Sequence, residues 1–155
     1  MKTTQRFDQA ITKLYHAFQK GTLHPESCTQ CAVGNILDNK DSWKHLSNAH
    51  GSTELNYVGI VNQNLGKRFN GYSPIELLQI EMAFLRGCGY SLPLRLHQTP
   101  KRQMNNDVLF KGLEAVVAQL CGFDNLPNIM DCSKLFHYDS KQQIAENKNV
   151  VEVIV

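Results

Sequence analysis

The 155-residue sequence contains no run of about 18 apolar residues, so a membrane-spanning helix is not expected. Its first residues, Met1-Lys2-Thr3-Thr4-Gln5-Arg6-Phe7-Asp8, carry charge but no apolar stretch, which leads us to expect a chain not addressed for export and a cytoplasmic location. An excess of one charge is also missing. Against 14 Asp and Glu stand 16 Lys and Arg, a formal charge of +2 that is too small to imply nucleic-acid binding, leaving a protein as the kind of macromolecular partner the composition permits. Cysteine is odd in number, 5 in all, which does not suit a full disulfide framework and points to reduced thiols or metal ligands. There is no Gly-rich phosphate loop, Ser nucleophile elbow or metalloprotease helix motif, and no internal repeat or βαβ alternation.

What is present is a globular balance, 42% hydrophobic and 19% charged, in a chain long enough for one substantial core. The pattern predicts a mostly α fold, a compact single-domain bundle of about five to six helices over residues 1–138, followed by a flexible polar tail at 139–155. Phe7, Ala10, Ile11, Leu14, Tyr15 and Phe18 recur at helical spacing, with Gly21 placed as a left-handed cap. Pro25 suits the first turn of a second helix, expected to run to about Leu37 and to carry Cys28 and Cys31 near its start. Asp41 or Ser42 would cap a short helix through Trp43 and Leu46, ending by Gly51. Leu55, Val58, Val61 and Leu65 fit a helix, while Tyr57, Gly59 and Val61 fit a strand. Ser73-Pro74-Ile75-Glu76 is a capping box with proline at the first helical position, and Gly87 and Gly89 end that helix around Cys88. Ser91 to Asn106 reads as a loop made basic by Arg95, His97, Lys101 and Arg102, a segment that could bind a phosphate or an acidic partner but is expected first to be a solvated loop. Asp107 would cap a helix with Leu109, Phe110, Leu113, Val116, Val117 and Leu120 buried. A shorter segment holds Met130, Leu135 and Phe136, and Val150 to Val155 fits a terminal strand.

Chemistry concentrates at Cys28-x-x-Cys31, two soft donors at a spacing that suits zinc, iron or an iron–sulfur cluster as well as thiol–disulfide exchange. A closed tetrahedral site needs further ligands from distant sequence, and Cys88 is the first candidate. Glu81 is the second. It projects among Leu77, Leu78, Phe84 and Leu85, where a lone carboxylate is costly unless ligated, paired, hydrogen-bonded or protonated. Seven residues is close to two turns, so Cys88 shares its face. His24 is the nearest imidazole to the thiol pair and Cys121 a reserve ligand. His45 and His50 lie on different faces of a predicted helix end and read as ordinary histidines. Two other readings stand beside metal binding. Free cysteines are among the most buried residue types, so all five, Cys132 included, fit a non-catalytic interaction module with cysteines in packing roles. A thiol oxidoreductase would exploit Cys28 near a helix start, although the βαβ context of a thioredoxin is missing.

Cys28-Thr-Gln-Cys31-Ala-Val-Gly-Asn-Ile-Leu37 together with Asn70-Gly-Tyr-Ser-Pro-Ile-Glu-Leu-Leu78 resembles a small bacterial family often named after the NADH-binding component of a sodium-translocating NADH:quinone reductase, over a span from Phe7 to about Phe136. That component is built from a ferredoxin-like cluster domain and flavin- and NADH-binding domains, for which this chain has neither the clustered cysteines nor the length. What the resemblance implies is a family of unknown function.

Overall fold

In the computed structural model the described residues are 3–40, 43, 45–92 and 105–127, and they are mostly helical. The expected basic loop beyond Leu92, Cys132, the segment around Leu135 and the terminal valine run lie outside them. Helix α1 spans Gln5–Lys20. Thr4 caps it by accepting the Phe7 amide, and Gly21 closes it at φ 72°, a left-handed conformation that glycine adopts without cost. Its buried stripe is Phe7, Ala10, Ile11, Leu14, Ala17 and Phe18.

The second helix is shorter than its sequence suggests. Helix α2 is only Ala32–Ile36, and the residues from Pro25 to Gln30 form turns instead of the expected first helical turns. Two asparagines farther on take the turn's carbonyls: Asn35 Nδ2 donates to the Gln30 and Cys31 oxygens at 2.9 and 3.0 Å, and Asn39 Nδ2 to the Thr29 oxygen at 2.6 Å. Ser27, Cys28 and Thr29 are themselves weak helix formers. Consequently Cys28 and Cys31 do not lie on one helical face; Cys31 is the N-cap, its sulfur accepting the Gly34 amide at 3.4 Å.

After a single 3₁₀ turn at Trp43 the chain runs irregularly to helix α3, Tyr57–Asn64, which settles the helix-or-strand ambiguity. Only Gly59 of α3 is buried, where it meets the Leu46 carbonyl; Val58 and Leu65 of the expected apolar stripe face solvent. Helix α4, Pro74–Gly87, has both halves of its capping box, and Cys88 follows as C-cap. Helix α5, Asn106–Phe123, is capped by Asn105 rather than Asp107. It packs antiparallel on α4, since Gly87 lies against Gly112 at one end and Tyr72 against Phe123 at the other. A Cβ on Gly112 would come within 2.5 Å of Cys88 Sγ and 2.8 Å of the Phe84 ring, so glycine is what lets the helices approach this closely. No strand is present among the described residues, and no helix there is long and apolar enough to cross a membrane.

The helix ends are fastened by Arg6, whose guanidinium donates to Asp124 (Nε–Oδ1 2.8 Å), to the Gly71 carbonyl (2.8 Å) and to Glu76 (3.1 Å). Thr4 Oγ1 adds a second bond to Asp124 at 2.6 Å. Burial pushes the Asp124 pKa up, but the hydrogen bonds from Arg6 and Thr4 and the Arg6 charge outweigh it, and the net shift is downward. A carboxylate shifted this way contributes stability above its unfolded value, near 3.9, and loses it as pH falls through the folded value. Urea denaturation should therefore show Asp124→Asn less stable by about 2 kcal/mol at neutral pH, with a smaller gap near pH 3.

Candidate metal centre

The turn that ends at Cys31 and the irregular segment around His50 meet on the inner side of α4. Glu81 is fully buried there, on the apolar face read from its sequence position. Its Oε2 accepts the indole N–H of Trp43 at 2.8 Å, and its Oε1 lies 2.8 Å from His50 Nδ1. Gly51, at φ 79°, turns the chain directly after His50. The other ring nitrogen, Nε2, is 2.5 Å from the Pro25 carbonyl, and Cys28 Sγ is 3.5 Å from Nδ1. Cys31, also fully buried, completes a group in which the sulfur of Cys31, a ring nitrogen of His50 and a carboxylate oxygen of Glu81 all lie within 4.8 Å of one another. Among the described residues this is the one such group of three or more metal-ligating side chains.

The Pro25 carbonyl can only accept, so His50 Nε2 carries a hydrogen. In a neutral ring Nδ1 then presents a lone pair directly to a carboxylate oxygen, and two acceptors 2.8 Å apart repel. Among the described residues His50 Nδ1 is the group that faces Glu81 Oε1, and it can donate there only when the ring is protonated, so the satisfaction of Oε1 depends on what sits between the two. Either a second proton or a cation can resolve the conflict. Burial lowers the basicity of His50, yet the hydrogen bond and charge of Glu81, with the Pro25 carbonyl, raise it overall. Burial, and secondarily the Glu81 charge, hold Cys31 as a thiol in the absence of a cation.

Three donors of different kinds thus converge, the Cys31 sulfur, a His50 nitrogen and a Glu81 oxygen, and the Cys28 sulfur adjoins them through His50 Nδ1. Tetrahedral zinc with bonds of about 2.0–2.3 Å separates its donors by roughly 3.3–3.8 Å; the 3.5 Å sulfur–nitrogen contact lies in that range, and the 2.8 Å nitrogen–oxygen contact would have to open by about half an ångström to admit the ion. The outer contacts also suit ligation, because a ligating imidazole generally donates its other N–H to a carbonyl or carboxylate and a ligating carboxylate is itself hydrogen-bonded.

Of the residues singled out from the sequence, the structure brings Cys31 and Glu81 into the group, sets Cys28 at its edge against His50, and leaves Cys88, Cys121 and His24 outside it. Cys88 does follow Glu81 by two turns, but two turns is about 10 Å along the axis, far beyond ligand spacing. At that height α4 faces α5, and the Cys88 sulfur packs toward Gly112, its thiol pushed up to about 12 by burial. Cys121 is buried near the end of α5, two residues before Phe123. His24 is exposed, and its amide closes the turn on the Gln30 carbonyl at 2.8 Å. Sequence reasoning missed His50 and Trp43. No spacing motif marks either one, and the only available signal was the partner that a buried Glu81 demanded. No protein-family model, curated protein or solved structure matches the chain.

Proposed function

We propose that this protein binds one metal ion of the zinc class, with Cys31 Sγ, His50 Nδ1 and Glu81 Oε1 as ligands and Cys28 Sγ as the fourth. The observation that carries the reading is the convergence of Cys31 Sγ, a His50 ring nitrogen and a Glu81 oxygen within 4.8 Å of one another, with the lone-pair face of a neutral His50 set 2.8 Å from the buried Glu81 Oε1. A mixed set of two sulfurs, a nitrogen and an oxygen fits a single borderline-soft ion better than an iron–sulfur cluster, which is usually held by thiolates. With four protein ligands the ion is structural: it fastens the Pro25–Cys31 turn, the His50 segment and α4, three pieces with no regular hydrogen-bonded ladder between them. Thiol exchange has less support, because the Cys31 thiol is pushed away from the reactive thiolate form.

Purified protein dialysed free of chelator and titrated with Zn²⁺ should bind one equivalent and melt at a higher temperature when loaded. Cys31→Ser should lose that equivalent. Folded wild-type protein that takes up neither Zn²⁺ nor Co²⁺ nor Fe²⁺ overturns the reading and leaves the site as an imidazolium–carboxylate pair.

The interaction-module reading has one observation behind it. Tyr57, Val58, Ile60, Leu65 and Ile75 are large apolar side chains left exposed, and Ile60 and Ile75 border a groove of about 500 Å³ with Leu55, Leu78 and Met82. The two readings are compatible, since the groove and the metal centre use different side chains.

A further inference from the structure

Trp43 is the only tryptophan of the chain, is 1% exposed, and gives its single polar hydrogen to Glu81 Oε2 at 2.8 Å. An indole N–H in a core needs an acceptor, and a buried carboxylate needs donors, so this bond is held in place from both sides. Its consequence is directional. Oε2 is turned toward Trp43 and loses electron density to the hydrogen bond, while Oε1 is the oxygen that faces His50 Nδ1.

Resting on the metal-centre reading above, we infer that Trp43 is a positioning residue that holds Glu81 as a one-oxygen ligand and thereby sets the coordination number and the metal selectivity of the centre. A carboxylate free to offer both oxygens expands a site to five ligands or more and favours larger, harder ions such as Mn²⁺. A carboxylate restricted to Oε1 leaves two sulfurs, one nitrogen and one oxygen, a tetrahedral set suited to Zn²⁺ and Co²⁺. Trp43 touches the ion only through Glu81, yet it decides the ion's geometry. The ring also fills the space beside α4, so the bond is enclosed and water does not compete for Oε2.

The test is a Co²⁺ titration followed by visible absorption, with Zn²⁺ and Mn²⁺ affinities measured by competition with a chelator, on wild type and Trp43→Phe. Wild type should give the intense ligand-field bands of tetrahedral Co²⁺. Trp43→Phe keeps an aromatic ring but removes the donor; it should give the weak bands of higher-coordinate Co²⁺, bind Zn²⁺ about 10–100-fold more weakly, and discriminate less against Mn²⁺. Unchanged Co²⁺ bands and unchanged Zn²⁺ affinity in Trp43→Phe would overturn the inference while leaving the metal centre standing. Wild type that binds neither Co²⁺ nor Zn²⁺ overturns the centre and this inference together. Should Trp43→Phe fail to fold, the indole N–H resonance of ¹⁵N-labelled wild type decides. With Zn²⁺ bound it should stay in slow exchange with solvent; fast exchange would mean that Glu81 has left Trp43 and would overturn the inference.

Discussion

Glu81→Gln is expected to abolish metal binding while leaving most of the metal-free fold intact. Glutamine has the same shape. Its amide oxygen can accept from Trp43 where Oε2 does now, and its N–H₂ can donate to the His50 Nδ1 lone pair, which removes the acceptor-to-acceptor conflict. It is also neutral, and a neutral amide is a poor ligand for a zinc-class ion, so Zn²⁺ affinity should fall by more than about 100-fold, beyond what loss of an outer hydrogen bond costs. The metal-free comparison has a definite pH dependence. His50 basicity is raised by Glu81 against the pull of burial, so the ion pair contributes fully below the unfolded value near 6.5 and is lost as pH rises through the folded one. Metal-free wild type should therefore exceed Glu81→Gln in denaturation stability by about 2–3 kcal/mol below pH 6, and lose that lead at higher pH, where the neutral imidazole suits the glutamine amide better than the carboxylate. Added Zn²⁺ should stabilise wild type increasingly as pH rises, because protons compete with the ion for His50 and both thiols. If Glu81→Gln binds Zn²⁺ as wild type does, Glu81 is not a ligand.

The second large effect is expected from Gly34→Ala. In most helices this change stabilises by up to about 1 kcal/mol. At Gly34 the added Cβ would lie 2.4 Å from the Thr29 carbonyl carbon and 2.6 Å from the Cys28 and Thr29 oxygens. All three are backbone atoms of the very turn that presents the thiols, held there by Asn35 and Asn39, so nothing flexible can yield. The turn must move or the helix must. The expected cost is about 3 kcal/mol or more, at the upper end of overpacking, together with loss of the Zn²⁺ equivalent. Gly122→Ala is the matched control. It lies in α5 with nothing among the described residues within 4 Å of its Cβ position, so it should be neutral or slightly stabilising and leave Zn²⁺ binding unchanged. Equal behaviour of the two variants in thermal melts and metal titrations would show that the turn tolerates displacement.

The parts of this fold that could be read in advance are those set by neighbouring residues. Helix α1 was legible from its apolar spacing and Gly21, α4 from Ser73, Pro74 and Glu76, and α5 from its long stripe, because caps and helical periodicity act within a turn or two. The same local reading failed at α2. Pro25 resembles a helix start, yet the chain after it closes into turns, with the Asn35 and Asn39 side chains donating to the Gln30 and Thr29 carbonyls that a continuous helix would have offered to Gly34 and Val33. At α3 spacing allowed a helix or a strand, and it could not show that Val58 and Leu65 face outward and only Gly59 inward.

For the site, the sequence by itself determined which residues were chemically out of place: a pair of thiols three positions apart, and a carboxylate on the apolar face of α4. Both are anomalies of local pattern and need no fold to be noticed. Which residues answer them follows from the packed fold alone. Cys88 shares a helical face with Glu81 but stands about two turns away against α5, while His50, unmarked by any spacing, is carried onto Glu81 by an irregular segment. The path of such a segment is set by where its buried side chains, Trp43 and Leu46, find room in the core, and by the hydrogen bonds its ends make to Pro25 and Glu81. Those are contacts between residues far apart in the chain, and no local preference encodes them.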